Sequence, residues 1–188
     1  MDNNFIDESH EKDDKKKKIK MEIIEWIKSL AFAFVAALLI TKFIFSFTVV
    51  RGNSMLPTLQ NGDRLIELKI DKLFYKYSRG DIVVIRDKAI TNGDFYVKRI
   101  VAVGNDNIKV TNGSVYINDK IVNEDYIDNI FTEGELEYTL ADDEVFVIGD
   151  NRHPNASKDS RVFGPVKRSS IDGRCVFRVY PFNRFGGV

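Results

Sequence analysis

The pattern of apolar and polar positions divides the chain into a charged leader, one long apolar segment and a series of short apolar runs. Residues 1–22 are mostly polar or charged and lack periodic apolar spacing, so we expect a disordered tail. Residues 30–40 are apolar without interruption, and the apolar character resumes after Lys42. A helix needs about 20 residues at about 1.5 Å each to cross the hydrocarbon core of a bilayer. Residues 23–48 therefore predict a transmembrane anchor, provided that its flanking lysines reach outward.

A cleaved signal peptide and an amphipathic core helix are the alternatives to an anchor. A signal peptide also has a basic lead and an apolar run, but here the lead is long and the run exits into Thr-Lys-Phe-Ile-Phe. An amphipathic helix that packs one face on a core exposes a polar face to solvent, and residues 30–40 have no such face.

Lysine and arginine predict the orientation of this segment. In the 15 residues on either side of residues 29–50, six precede and two follow: Lys15, Lys16, Lys17, Lys18, Lys20 and Lys28, against Arg51 and Arg64. The excess of positive charge before the segment places the N-terminus in the cytoplasm. We therefore expect a single-pass protein of the plasma membrane, with residues 49–188 forming an extracytoplasmic domain.

After position 50 the pattern changes to short runs rich in Val, Ile, Phe and Tyr, which predict β-strands separated by turns. Asn112-Gly113 lies between two such runs and supplies the positive φ angles of a type I′ hairpin turn. The acidic stretch 127–140 predicts a surface connection. The fold class is therefore mainly β, with one transmembrane helix followed by an antiparallel β domain. The predicted strands are 63–70, 80–86, 95–103, 107–111, 114–118, 144–148 and 174–180.

The composition disfavours several functional classes. The formal net charge is zero, which argues against the cationic face that a nucleic-acid partner requires. The single cysteine, Cys175, cannot form an intramolecular disulfide, and its strand-like surroundings indicate core packing. The two histidines, His10 and His153, have no cysteine cluster near them, so we expect no zinc site.

Ser54 and Lys98 are the candidate reactive pair. A serine hydroxyl attacks a carbonyl only when a base removes its proton. His153 lies in a turn-forming string and is interpreted as a solvated turn residue, while His10 belongs to the leader. Lys98 lies among apolar neighbours in a predicted strand, and burial there would lower its pKa, although most strand lysines face solvent. The pattern suggests a Ser-Lys hydrolase acting on a substrate in the bilayer.

Four stretches, taken in order, resemble the type I signal peptidases of bacteria. The stretch at 52–59, GNSMLPTL, is similar to the nucleophile box of that family, and YVKRIV at 96–101 is similar to its general-base box. Between them lies RGDIVV at 79–84, and the last box is matched by VIGDNR at 147–152 with SKDSRVFGP at 157–165. The resemblance covers the chain from about residue 30, and the single anchor and small size resemble the Gram-positive members.

The resemblance implies a role for each matching residue. Ser54 would be the nucleophile and Lys98 the general base, while Ser157 would orient the lysine amine. Supporting ion pairs would form between Arg99 and Asp150, and between Asp159 and Arg161. Shallow substrate pockets would be lined by Val50, Met55, Leu59, Tyr96 and Val97.

Two positions depart from the pattern of the family. The backbone N–H of Ser54 would stabilise the oxyanion, but Gly52 stands where some members have a serine that completes the oxyanion hole. Four residues separate Arg152 from Ser157, whereas the family usually has two.

The implied function is a membrane-bound serine endopeptidase that removes signal peptides from exported preproteins through an acyl-enzyme. Its partners would be those signal peptides, the lipid bilayer and the export machinery, without nucleic acid and without a metal or nucleotide cofactor. Two alternatives stay open. One is a Ser-Lys protease with a narrower task, such as maturing one pilus or spore component or cleaving itself. The other is a membrane-tethered β domain that only binds a partner.

Overall fold

A computed structural model describes residues 4–71, 76–91, 93–128 and 130–188. Residues 1–3 of the expected tail and residue 129 of the expected connection lie outside the described part. The chain forms two compact units, Met1–Lys42 and Phe43–Val188.

The first unit is one long helix, α1, which runs from Asn4 to Phe43. Its stretch Lys15–Phe43 is long and apolar enough to cross a membrane. The helix differs from the disordered tail expected for residues 4–22. No glycine or proline interrupts its sequence, and the lysines and glutamates of this stretch have a high intrinsic helix propensity. Lys28 also pairs with Glu25 one turn earlier, at 2.9 Å.

The second unit contains short strands, one-turn α-helices and two 3₁₀ turns, Arg168–Ser170 and Phe182–Arg184, within the described residues. The helices are α2 (Lys88–Thr91) and α3 (Ser160–Phe163). The strands are β1 (Phe45–Val49), β2 (Arg64–Leu68), β3 (Ile82–Ile85), β4 (Tyr96–Val103), β5 (Asn107–Thr111), β6 (Ser114–Ile117), β7 (Lys120–Ile121), β8 (Leu136–Thr139), β9 (Glu144–Ile148), β10 (Val166–Lys167), β11 (Ile171–Tyr180) and β12 (Gly186–Gly187).

The strands form two antiparallel sheets. The larger sheet has the order β1-β2-β11-β3-β4-β9-β10, with β12 paired to β11, and the smaller sheet has the order β7-β6-β5-β8. Strand β4 lies between β3 and β9, so its residues occupy the middle of the larger sheet. Strand β1 is at an edge, where it pairs only with β2 among the described strands. The mainly β antiparallel fold expected from the sequence is confirmed.

All seven predicted strands are present. The structure differs from the prediction in short strands that the sequence pattern did not indicate. The expected anchor included residues 45–48, which lie in β1 instead, and the expected connection 127–140 contains β8. At the predicted hairpin turn, Asn112 and Gly113 have φ angles of 48° and 78°, as a type I′ turn requires.

One apolar cluster lies beside the loop that connects β1 and β2. Its buried members are Val50, Met55, Leu59, Leu65, Ile82, Val84 and Cys175. Burial raises the pKa of the Cys175 thiol, as expected for a cysteine that packs in the core. The cluster fixes the loop of residues 50–63 against the larger sheet.

Candidate active site

The structure brings Ser54 and Lys98 into direct contact. Ser54 lies in the loop after β1, and Lys98 lies in β4, opposite Val83 of the neighbouring strand. Lys98 Nζ donates a hydrogen bond to Ser54 Oγ at 2.6 Å. The lysine is only 4% exposed, whereas Ser54 is half-buried and accessible from the cleft described below. A serine and a lysine 44 positions apart therefore meet at one point.

Burial makes this lysine a potential base. Desolvation lowers the pKa of Lys98 to about 8, because burial penalises the charged ammonium. The Asp159 and Asp150 carboxylates oppose this shift, and the Arg161 guanidinium assists it. At pH 7 about a tenth of such a lysine is neutral, compared with about one in a few thousand for a free lysine.

The loop that carries Ser54 is held by Asn151, which lies just after β9. The Asn151 backbone N–H donates to Ser54 O at 3.1 Å, and its side chain Nδ2 donates to Asn53 O at 2.9 Å. On the other side of the loop, Gly52 has a φ of 83° and donates its N–H to Asn61 Oδ1 at 3.0 Å. Asn151 belongs to the VIGDNR string, but the sequence predicted no role for it.

Arg99 and Asp150 form a buried ion pair behind the dyad. Arg99 Nε and Nη2 donate to the two carboxylate oxygens of Asp150 at 2.9 and 2.7 Å. Thr58 Oγ1 donates to the same carboxylate at 2.6 Å. Since Thr58 follows the nucleophile by four residues, this pair connects β4, the end of β9 and the nucleophile loop.

Asp159 and Arg161 form a second pair, at the start of α3. Arg161 Nε and Nη2 donate to Asp159 at 2.9 Å each, and the Gly149 N–H donates to Asp159 Oδ2 at 3.1 Å. Burial raises the pKa of Asp159, but these donors outweigh it and leave the pKa below its ordinary value.

Ser157 lies close to the dyad without a hydrogen bond to Lys98 in the described residues. Its Oγ is buried near the Asp159 carboxylate but makes no hydrogen bond of ordinary length and angle there. A Cβ added to Gly149 would meet both Ser157 Oγ and Ser54 O, so these two atoms lie on the same side of Gly149. The lysine-orienting role of Ser157 stays a prediction.

Arg152 is a structural residue that the sequence analysis did not single out. Its side chain is fully buried, donates from Nε to Gly149 O at 2.9 Å and from Nη1 to Thr132 Oγ1 at 2.6 Å, and pairs with Glu124. Arg152 belongs to the VIGDNR string, which could have indicated its importance. Its partner, the Glu124 carboxylate, lies 28 residues earlier in a region without a motif.

A cleft of about 780 Å³ leads to the dyad. One wall is β1 with the following Val50, and another is the start of β4. Of the expected pocket residues, Val50, Met55, Tyr96 and Val97 line the cleft; Leu59 does not, because it is fully buried in the cluster beside the loop. His153 is exposed and does not line the cleft. No group of His, Cys, Asp and Glu side chains within the described residues could hold a metal ion.

The chain is similar to known proteins over most of its length. A family model described as signal peptidase, peptidase S26, matches residues 23–180. Signal peptidase I S of Bacillus subtilis (strain 168) is 37% identical over 178 residues, 87% of this chain and 92% of that protein. Signal peptidase IB of Staphylococcus aureus (strain COL) is 32% identical over 188 residues, 89% of this chain and 94% of that protein.

A crystal structure of a signal peptidase I from Enterococcus faecalis V583 aligns with 53% of this chain and 96% of its own, at 28% identity and a TM-score of 0.45. The family model and the curated relatives define the class of protein as a serine endopeptidase. The chain belongs to the signal peptidase I family, peptidase S26, and membership implies the cleavage of signal peptides.

Proposed function

We propose that this chain cleaves signal peptides from exported preproteins with Ser54 as the nucleophile and Lys98 as the general base. The observation that carries the proposal is the 2.6 Å hydrogen bond between Lys98 Nζ and Ser54 Oγ, with burial holding the pKa of Lys98 near 8. A nucleophile and a base within hydrogen-bond reach are the minimum for acyl transfer by a serine.

In the first half of the reaction, neutral Lys98 accepts the Ser54 proton while Oγ bonds to the carbonyl carbon of the scissile peptide. The Ser54 backbone N–H donates to the oxyanion that develops. The Lys98 ammonium then gives its proton to the departing amine nitrogen, the C–N bond breaks, and an acyl-enzyme remains on Ser54. In the second half, Lys98 takes a proton from water as the water oxygen bonds to the ester carbon. The bond between that carbon and Ser54 Oγ then breaks, the carboxylic acid product leaves, and Lys98 returns the proton to Ser54 Oγ.

Ser157 orients the Lys98 amine in this proposal. Two observations support it: Ser157 Oγ is buried without a hydrogen bond among the described residues, and it lies beside the nucleophile loop at Gly149. A hydroxyl can accept a hydrogen bond from an ammonium or donate one to a neutral amine.

The substrate lies extended in the cleft. Strand β1 is a sheet edge with main-chain groups available for pairing, and alternate side chains of an added strand point into the same cleft. Apolar contacts to those side chains come from Val50, Met55, Tyr96 and Val97. Leu59 packs in the buried cluster that contains Val50 and Met55.

Helix α1 anchors the enzyme in the plasma membrane, with its N-terminus in the cytoplasm and residues 49–188 outside. The length and apolar character of the helix, together with the excess of lysine before its apolar part, support this orientation. The partners are then signal peptides of secretory preproteins, the lipid bilayer and the export machinery.

The test uses the detergent-solubilised full chain, a labelled preprotein and N-terminal sequencing of the product. Ser54→Ala and Lys98→Ala should each abolish cleavage, and the double variant should be no worse, because members of one catalytic unit are not additive. His153→Ala is the control and should keep most activity. An inactive His153→Ala variant would contradict the lysine base, and a Ser54→Ala variant with intact function would favour a binding module. Cleavage of a single precursor in a preprotein panel would favour a narrower protease.

A further inference from the structure

One buried carboxylate outside the cleft holds two side chains that reach the turn of residues 149–152 after β9. Glu124 lies in the connection between β7 and β8, and its side chain is only 6% exposed. Its Oε2 accepts a hydrogen bond from Arg152 Nη1 at 2.9 Å. Its Oε1 accepts from Arg152 Nη2 and also from the Tyr126 phenol, the latter at 2.8 Å. Neither Glu124 nor Tyr126 takes part in the proposed chemistry.

The contacts through Arg152 end on the backbone of Gly149. Arg152 has a fully buried side chain and donates from Nε to Gly149 O at 2.9 Å. A buried guanidinium needs a paired carboxylate, because an isolated charge in the interior is strongly disfavoured. Glu124 is the carboxylate that pairs with it. Glu124 therefore fixes the guanidinium that holds the carbonyl of Gly149.

The contacts through Tyr126 end on the carboxylate of Asp150. The Tyr126 ring lies over the guanidinium of Arg99, whose Cζ is 4.1 Å from the ring centroid. The edge of that guanidinium donates to Asp150 and to Gly80 O, while the ring covers one of its faces by a cation–π contact. Burial and the Glu124 carboxylate raise the pKa of the Tyr126 phenol, which therefore stays protonated and donates. The phenol bond holds the ring in place over the guanidinium.

The two sets of contacts end on consecutive residues, Gly149 and Asp150. The next residue, Asn151, donates its backbone N–H to Ser54 O at 3.1 Å. The arginine that binds Asp150 directly follows Lys98 in β4. Contacts that start at one carboxylate therefore reach both the turn that holds the serine loop and the strand that carries the lysine.

We propose that Glu124 and Tyr126 are positioning residues for the Ser54–Lys98 dyad and act through the two arginines that hold the turn. The inference rests on the proposed function, since it concerns the reaction that the dyad performs. Neither residue lines the cleft, so their role is in the rate of the reaction and not in substrate binding. Loss of their contacts should therefore lower kcat and leave KM unchanged.

The test measures the cleavage of one labelled peptide by the detergent-solubilised full chain and by two variants. Tyr126→Leu removes the ring from Arg99, and kcat per folded enzyme should fall about tenfold, since a displacement of about 1 Å can cost about a hundredfold. Tyr126→Phe keeps the ring and loses only the phenol bond to Glu124, so it should retain most of the rate. Thermal unfolding gives the folded fraction of each variant.

The pH midpoint of kcat/KM is a second readout, and it does not depend on the amount of folded enzyme. Burial lowers the pKa of Lys98, and three charged groups also act on it: Asp159, Asp150 and Arg161. When Tyr126→Leu loosens Arg99, the arginine offsets the Asp150 charge less completely. The midpoint should then rise by about half a unit, because an uncompensated carboxylate favours the ammonium form. Tyr126→Phe should keep the wild-type midpoint.

Glu124→Gln tests the carboxylate that the two sets of contacts share. An amide has one oxygen to accept with, and its NH₂ would face a donor of Arg152 or Tyr126, so kcat should fall at least as far as in Tyr126→Leu. Asp71→Asn is the control, because Asp71 is also buried and accepts from Arg174 Nε at 2.8 Å but does not line the cleft. It should lower the melting temperature and keep both kcat per folded enzyme and the pH midpoint. If Glu124→Gln does not fold, the two Tyr126 variants decide.

A Tyr126→Leu variant with the kcat and midpoint of the wild type would overturn the proposal. An equal loss of kcat in Tyr126→Phe, or the same loss and shift in Asp71→Asn, would also overturn it, as would a raised KM with an unchanged kcat. These results differ from a failure of the proposed function, in which the wild-type chain does not cut the peptide or cleavage survives Ser54→Ala.

Discussion

In the proposed mechanism, activity depends on how strongly the fold desolvates the ammonium group of Lys98. Lys98 is enclosed in the middle of a sheet, yet two carboxylates, Asp150 and Asp159, lie near enough to favour its charged form. Each carboxylate is paired with an arginine, which limits that effect. Burial outweighs the charges, so the pKa falls and the neutral amine becomes available close to neutral pH.

The first prediction at the residue scale is a pH profile. The active form of Lys98 is the neutral amine, which is present above its pKa, so kcat/KM should rise with pH along one ionisation near 8 and then level off. Lys98→Arg should be inactive at every workable pH, because a guanidinium stays protonated. The measurement is peptide cleavage from pH 6 to 10. A rate that still climbs steeply above pH 10, as for an unperturbed lysine, would contradict the assignment.

Sequence motifs predicted the residues that we propose to be reactive, but not all of the contacts around them. The four sequence stretches that match the family's motifs contain Ser54, Lys98 and the two acid–arginine pairs, so these residues can be identified from the sequence alone. The contacts of Asn151 and Arg152 depend on how the end of β9 meets distant backbone and side chains, and no local spacing reports that.

Among the elements, the turn after β9 contacts the backbone of Ser54 directly. Gly149 donates to Asp159, accepts from Arg152, and approaches the backbone of the nucleophile. Asn151, two residues later, donates to that same backbone. The turn therefore sets the position of Ser54 relative to Lys98 on the neighbouring strand.

Gly149→Ala tests this positioning. The added Cβ would fall inside contact distance of Ser54 O and Ser157 Oγ, so the nucleophile must move, and displacement of about 1 Å can cost about a hundredfold in rate. Gly104→Ala is the matched control, since its Cβ would clash equally with the backbone of Asp142, away from the dyad.

Both variants should lower the melting temperature, measured by thermal unfolding. Only Gly149→Ala should also lower kcat per folded enzyme, by about a hundredfold. Equal kcat for the two variants would show that the turn does not position the nucleophile.

The elements were predictable where alternation or a turn dipeptide marked them. Strands β5 and β6 with the Asn112-Gly113 turn are the clearest case. Strand β1 was hidden because its residues continue the apolar segment, and apolar content alone does not separate a lipid-facing helix from a sheet edge. The helical leader was missed because a charged composition is compatible with either a solvated helix or disorder.

At the scale of the whole molecule, the division between the two units falls before β1. The sheet unit begins at Phe43, so β1 belongs to the fold of the β unit rather than to the helical unit. Strand β1 pairs with β2 along its full length and contributes Ser46 and Thr48 to the cleft. Two truncations that differ by six residues should therefore behave differently.

Removal of residues 1–42 should leave a folded domain that cuts short peptides in detergent at a rate close to the full chain. It should process precursors inserted in vesicles poorly, because the enzyme is no longer held at the membrane where their cleavage sites lie. Removal of residues 1–48 also deletes most of β1, exposing the β2 edge and opening one wall of the cleft, so both activities should fall and the melting temperature should drop. Peptide cleavage, vesicle processing and thermal unfolding, measured on both truncations, separate the two roles. If the shorter truncation lost peptide cleavage as completely as the longer one, α1 would be needed for folding rather than for placement at the membrane.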